Sequence, residues 1–175
     1  NKGAAMLEFA LLAPIFFYMI FGIIEVSAMM LTEGVIESAT RQAARSGLTG
    51  YTPSGTTRDE YILDQIEAEA ILIDPNQLTL NTLVYSNFGD IGQSEPYTDT
   101  NGDGYYDVGE PYTDSNGNGQ WDIDMGIAGI GNGGDIVVYT VNYPWSFYTP
   151  FIGDLMFEGG VYNIVTSAVV RNEPF

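Results

Sequence analysis

The sequence predicts an α+β fold, in which a long hydrophobic N-terminal helix leads a small globular domain with a second helix and an antiparallel sheet. Three observations predict it. The first 46 residues are apolar, with few breakers; isoleucines recur at helical spacing within 58–72; and 78–85, 137–143 and 161–171 are rich in β-branched and aromatic residues. The chain divides accordingly into a helical segment, 1–47, and a globular domain, 48–175, which carries an insert at 95–124.

The leading helix is read from 4–46. Sixteen uncharged residues, 9–24, separate Glu8 from Glu25, and apolar character continues to Leu31. At about 1.5 Å per residue, 4–31 spans roughly 40 Å, enough to cross a bilayer. A cleaved secretory signal fits less well, because the apolar run is long, its basic front is only Lys2, and it continues into an amphipathic stretch. There Glu33, Glu37, Arg41 and Arg45 follow at four-residue steps and share a face, with Glu37 and Arg41 in the favourable acid-before-base order. Gly47 is expected to stop the helix, and Pro14 to kink it or free a carbonyl. Glu8 is the most telling residue. A carboxylate in hydrocarbon-like sequence is costly without a cation, so it implies a partner, another copy of the chain; an ordinary single-span anchor with Glu8 at the interface is the plainer reading. For Glu25 the basic partners in the helical region are Arg41 or Arg45 of a neighbour.

Beyond the turn-rich residues 50–55, Thr57-Arg58-Asp59-Glu60 has the form of a capping box, and Ile62, Ile66 and Ile73 predict a second helix over 58–72, ending before Asp74-Pro75. Strands are expected at 78–85, at 137–143 ending on Pro144, and at 161–171. Trp145, Phe147, Tyr148, Phe151 and Phe157 form an aromatic connector punctuated by Pro144, Pro150 and Gly153. Core or subunit contacts explain it most simply; a carbohydrate site is the alternative.

The middle of the chain holds a duplication: residues 95–104, EPYTDTNGDG, recur fifteen residues later as EPYTDSNGNG. The first copy satisfies the calcium-loop pattern D-x-[DN]-x-[DN]-G-x₅-E through Asp99, Asn101, Asp103, Gly104 and Glu110, with Asp107 at the ninth place. Alternate side chains converge on the ion, glycine permits the sharp turn, the Tyr105 carbonyl fills the seventh place, and Glu110 closes the shell. The second copy supplies Asp114, Asn116, Asn118, the Gln120 carbonyl and Asp122, but Met125 stands where a closing glutamate belongs, leaving Asp124 as its substitute. One calcium ion is expected and a second is plausible. The loops have no flanking helical pattern, and the bland alternative is an acidic stretch rich in Asx turns.

Composition narrows the functions. With 23 acids, five bases and a net charge of −18, the chain does not suit nucleic acid, which needs clustered Lys and Arg. It suits an extracellular, cation-binding surface. The chain has no His and no Cys, and its acids are claimed by the metal pattern, so an enzyme would lack both nucleophile and base.

The N-terminal stretch GAAMLEFALLAP at 3–14, then FGIIE at 21–25 and AARSG at 43–47, resembles the pilin-like proteins of the type IV pilus superfamily, most closely the TadE-type pseudopilins of tight-adherence pili. Weaker echoes are Tyr143-Pro144 and SAVVRNE at 167–173. The resemblance implies a pilin-like fold, residence in the inner membrane before assembly, and dealings with a prepilin peptidase and a pilus assembly machinery. In that family the peptidase cuts after a glycine and leaves a glutamate at the fifth position, as Glu8 stands to Gly3. Asn1, Lys2 and Gly3 precede such a cut, so the cation for Glu8 is either the α-amine of Ala4 or Lys2.

The reading that follows is a structural subunit that polymerises with its own kind through its N-terminal helix into an extracellular filament on a bacterial surface, with calcium-stabilised loops outside. A minor TadE-type pseudopilin, priming or tipping a pilus of another pilin, and a membrane-anchored calcium-binding surface protein are the alternatives.

Overall fold

The computed structural model describes residues 2–48, 51–69 and 73–174. Helix α1 (Lys2–Leu48) leads to α2 (Arg58–Glu69), strand β1 (Thr79–Tyr85), the two-residue strand β2 (Ile127–Ala128), β3 (Ile136–Ser146), α3 (Pro150–Met156) and β4 (Val161–Arg171). The strands form one antiparallel sheet in the order β2-β1-β3-β4, with β1 paired to β3 from Thr79↔Asn142 to Tyr85↔Ile136 and β3 to β4 from Ile136↔Arg171 to Ser146↔Val161. This is the α+β architecture expected.

Alternation along β3 explains how the sheet meets the helices. Val137, Tyr139, Val141, Tyr143 and Trp145 all point inward, where they are buried with Ile164 and Ala168 of β4, Ile62 and Ile66 of α2, and Ile36, Ala39, Ala43 and Ala44 of α1. Small residues on α1 let it lie close on the sheet, and Thr40 and Thr166 meet there through their hydroxyls at 3.0 Å. The capping box forms as read: the Thr57 amide donates to Glu60 Oε2 at 2.8 Å and the Glu60 amide to Thr57 Oγ1 at 3.3 Å. Residues 70–72, the end of the expected second helix, lie outside the described residues.

Three expectations need correction. Gly47 does not stop α1, which runs on to Leu48. Its absent side chain instead admits Tyr139, whose hydroxyl would lie 2.8 Å from a Cβ at that position. Pro144 does not end its strand but pairs with Asn163 and β3 continues to Ser146. The Asn172 amide bonds the Asp135 carbonyl at 2.8 Å, so odd residues of β3 face β4 and even ones face β1. Since β1 begins opposite Asn142, the missing N–H of Pro144 points past its end and costs no ladder bond. The aromatic connector holds a short helix, α3, with Pro150 at its first turn. Gly153 reads as a breaker but serves close packing, since a Cβ there would meet Phe147 at 3.0 Å and the Gly160 backbone at 3.1 Å.

Candidate assembly helix and acidic loop pair

The duplicated segment lies between β1 and β2 and folds as two similar loops related by an approximate twofold. Tyr97 and Tyr112 form an antiparallel bridge, flanked by bonds from the Thr98 amide to the Pro111 carbonyl and from the Thr113 amide to the Pro96 carbonyl, each 2.8 Å. In the first loop Asp99 accepts from the Gly102 and Gly104 amides (2.6 and 2.8 Å), Asn101 from Asp103 (2.9 Å), and Asp103 from Tyr105 (2.8 Å). In the second, Asp114 accepts from Gly117 and Gly119 (2.6 and 2.9 Å), Asn116 from Asn118 (3.0 Å), and Asn118 from Gln120 (2.7 Å). The turns require φ of 78° and 86° at Gly102 and Gly104, and 77° and 80° at Gly117 and Gly119.

The glutamates are exchanged between the copies. Glu110 accepts from the Thr100 amide and hydroxyl (2.7 and 2.8 Å) and the Asp107 amide (3.1 Å), closing the first loop. Glu95, from the head of the first copy, does the same for the second, accepting from the amides of Ser115, Asn116 and Asp122 at 2.6, 3.2 and 3.2 Å. A fifteen-residue step takes Thr100 and Asp107 of the first set to Ser115 and Asp122 of the second, while the glutamates run the opposite way, from 110 back to 95. Thus Met125 occupies the closing place in sequence while Glu95, fully buried, fills it in space. Asp124, read as the substitute, is engaged elsewhere: it accepts from the Tyr85 hydroxyl (2.9 and 3.0 Å) and the Gly126 amide (3.0 Å), fastening the insert to β1.

Between the loops lies an aromatic cluster. Tyr106 stacks on Trp121 at 4.4 Å, Tyr97 meets Trp121 edge-on at 5.8 Å, Tyr112 meets Tyr106 at 5.9 Å, and Trp121 Nε1 donates to the Glu95 carbonyl at 2.9 Å. The Gly104 and Gly102 amides hold the Asp99 carboxyl below its usual pKa, and those of Thr100 and Asp107 do so for Glu110. Burial, and after it Asp124, pushes the Tyr85 hydroxyl up to about 12. Among the described residues no three acidic side chains form a ready-made metal cluster. Carboxylates instead converge on asparagine amides: Asn101 Nδ2 reaches Asp103 at 3.2 Å and Asp107 at 2.7 Å, and Asp122 accepts from Asn116 and Asn118 at 2.6 Å each.

Helix α1 has two unlike halves. From Met6 to Ile24 nearly every large apolar side chain is exposed, and the segment is long and apolar enough to cross a membrane. Glu8 lies exposed among them and has no partner among the described residues. The helix is uninterrupted across Pro14, whose missing N–H leaves the Ala10 carbonyl without its usual donor. Lys2 opens the helix, but its side chain, expected as a cation for Glu8, lies outside what is described. Glu37 and Arg41 form the ion pair read from their spacing, on the exposed face, and Arg45 is exposed one turn further on.

Glu25 marks the boundary between the halves, and its partners correct the expectation. Rather than a neighbour's arginine, it takes the Tyr148 and Thr149 amides of its own chain, at 3.1 and 2.6 Å, and is buried. Thr149 is the N-cap of α3 and its side chain makes no capping bond; Glu25 instead takes the N-cap amide itself, the donor that a capping-box glutamate would accept from within the helix.

Residues 3–45 match the family model described as TadE-like protein. The likeness covers about a quarter of the chain, nearly the length of α1. No match was found among curated proteins or among solved structures. The matched segment spans both halves of α1, the largely exposed apolar one and the one fixed to the sheet. Within it Glu25 clasps α3, and Ala43 and Ala44 are wholly buried against the domain.

Sequence reasoning missed three residues that hold the assembly together. Arg58 is buried and donates to Asn172 Oδ1 at 3.1 Å and the Ile130 carbonyl at 3.4 Å, while Asn172 Nδ2 donates to the carbonyls of Ile130 and Asn132, each at 3.0 Å. This network ties α2 to the end of β4. A basic residue inside a capping box gave no sign of it. The reach of Glu95 was legible in principle, since the repeat places a glutamate four residues before each loop.

Proposed function

We propose that this chain is a pilin-like subunit whose N-terminal helix first crosses the inner membrane and then packs among the helices of other copies in an extracellular filament. The observation that carries this is the contrast within α1: from residue 25 onward it is bound to its own domain, whereas residues 9–24 are uncharged and mostly exposed, touching the domain only where Tyr18 and Gly22 meet α3. A helix apolar on all faces needs a lipid or protein surround. The TadE-like match suggests a pilus-associated, pseudopilin-like protein and supports the same placement. It equally favours a second reading, a minor subunit that primes or tips a pilus of another pilin.

Glu8 is the test. If a cation of the next subunit satisfies it during assembly, through Lys2 or the α-amine that prepilin processing would expose at Ala4, then Glu8→Ala leaves the domain folded but reduces incorporation, at a cost of about 3–5 kcal/mol for a buried pair broken from one side. Normal incorporation by Glu8→Ala cells would overturn this pairing. The subunit composition of purified filaments separates the two readings: filaments of this chain alone support polymerisation, and a trace of it among another pilin supports the minor role.

The loop pair, in our reading, takes calcium. Asp99, Asn101, Asp103, Asp107 and Glu110 with the Tyr105 carbonyl would hold one ion, and Asp114, Asn116, Asn118 and Asp122 with the Gln120 carbonyl and Glu95 a second; these are the hard oxygen donors that calcium prefers. Modules of this kind bind at about 10⁻⁴–10⁻³ M, so millimolar calcium contributes about 0.4–1.4 kcal/mol per site. Calorimetry on the wild type and on Glu110→Ala tests it; absence of uptake by the wild type would leave the loops as hydrogen-bonded acidic turns.

A further inference from the structure

We propose that residues 147–157, the greater part of the β3–β4 connection, are a second membrane contact: a foot that enters the lipid interface beside α1 while the subunit is membrane-bound. This rests on the reading of α1 as a membrane span. The bilayer's hydrocarbon core is about 30 Å thick, which at about 1.5 Å per residue takes about 20 residues of helix. Entered at Gly3, where the apolar run begins, it extends to about Gly22. The free part of α1 is shorter than that. Tyr18 already meets Phe151 of α3 ring to ring at 5.2 Å, and Gly22 faces Ile152, whose Cδ1 would lie 3.9 Å from a Cβ there. Tyr18 is four residues, or about 6 Å, inside the boundary. What packs on it must be at that depth too.

The side chains at the foot suit the position. Tyr148, Phe151, Leu155 and Met156 are 76%, 60%, 74% and 48% exposed, and together they extend the apolar surface of α1 sideways. The connection carries two charged residues, both exposed: Asp154, whose Oδ1 would lie 3.0 Å from a Cβ at Gly160, and Glu158, which begins the 3-10 turn leading into β4. Interfacial helices bury their apolar face about 5–10 Å into the headgroup and acyl boundary, and aromatic residues gather at that level. Glu25, three residues beyond Gly22, is about 4.5 Å outside the hydrocarbon and fixes the foot to the helix through the Tyr148 and Thr149 amides. The occupant is therefore the lipid surface that surrounds α1.

The chain has no cysteine, so single-cysteine variants carry one nitroxide each. The full chain is reconstituted in phosphatidylcholine vesicles as Phe9→Cys, Leu155→Cys and Val108→Cys, the last at a fully exposed position of the first acidic loop. Relaxation by oxygen, which concentrates in lipid, and by a water-soluble nickel chelate reports depth. The expected result is oxygen-dominated relaxation at Phe9 and Leu155, with Leu155 about 5–10 Å below the phosphates, and nickel-dominated relaxation at Val108. Phe151→Cys gives an independent reading of the foot. If both foot labels are as accessible to nickel as Val108 while Phe9 stays in lipid, the foot is wrong and the span stands. If Phe9 is also open to nickel, the span fails and the foot falls with it.

Discussion

Gly47 sets the distance between α1 and the sheet. Alanine there would gain about 1 kcal/mol in helix propensity, but its Cβ would stand 2.8 Å from the hydroxyl of Tyr139, itself wholly buried and unable to swing aside. Overpacking of this kind costs about 1–3 kcal/mol, so Gly47→Ala is expected to lower the melting temperature despite the better helix former. Glu25→Ala strands the Tyr148 and Thr149 amides and is expected to cost about 1–3 kcal/mol; proteolysis in detergent should then cut first within 147–157, and Glu25→Gln, which keeps an acceptor, should lose less. Among the loop carboxylates the prediction concerns acid. Asp99 and Glu110 have pKa values lowered by backbone amides, so they bind protons less readily folded than unfolded. Their contribution is present above the ordinary carboxylate pKa values and is lost as pH falls through the folded ones. Tryptophan emission from Trp121 should accordingly hold steady to about pH 4 and change only below it; a transition centred near neutrality would contradict the assignment.

Among the elements, those whose signal is local were legible. The capping box at Thr57 and the β-branched run of β4 are written in consecutive residues, and both form where read. Thr57→Ala should cost about 1 kcal/mol, measurable by denaturant titration. The elements that escaped depend on what lies across the fold. Whether Pro144 ends β3 turns on where β1 begins, a fact of register rather than of residues 136–146. Pro144→Ala is therefore expected to change stability by no more than about 0.5 kcal/mol, since no ladder bond is waiting for its amide. Helix α3 has seven residues, too few for a period to show, and is held by a glutamate 125 residues before it. The duplication of the acidic loops was legible in the same way as β4, from spacing alone, and the two copies form matching Asx turns. Glu110 closes the first loop as read, but Glu95 was not read as closing the second, because it acts across the bridge between Tyr97 and Tyr112.

At the scale of the whole molecule the buried core joins α1, α2 and the sheet, whereas the insert is held by a half-buried aromatic cluster and attached through Tyr85 and Asp124. They should respond separately. If the loops hold calcium as proposed, a chelator is expected to open residues 95–124 to protease while amide exchange in β3 and α2 stays slow; simultaneous loss of protection in both would show that the insert is integral to the main core. The exchanged glutamates carry a consequence for ancestry. Were residues 110–124 cut out, the remaining loop would lose its own Glu110, and Glu95 would be left reaching for a loop that no longer exists. The loss depends on the cut: with 111–125 removed instead, the first loop keeps its whole pattern from Asp99 to Glu110, so the first copy is complete by itself, while the second, with Met125 at its closing place, depends on Glu95 lent by the first.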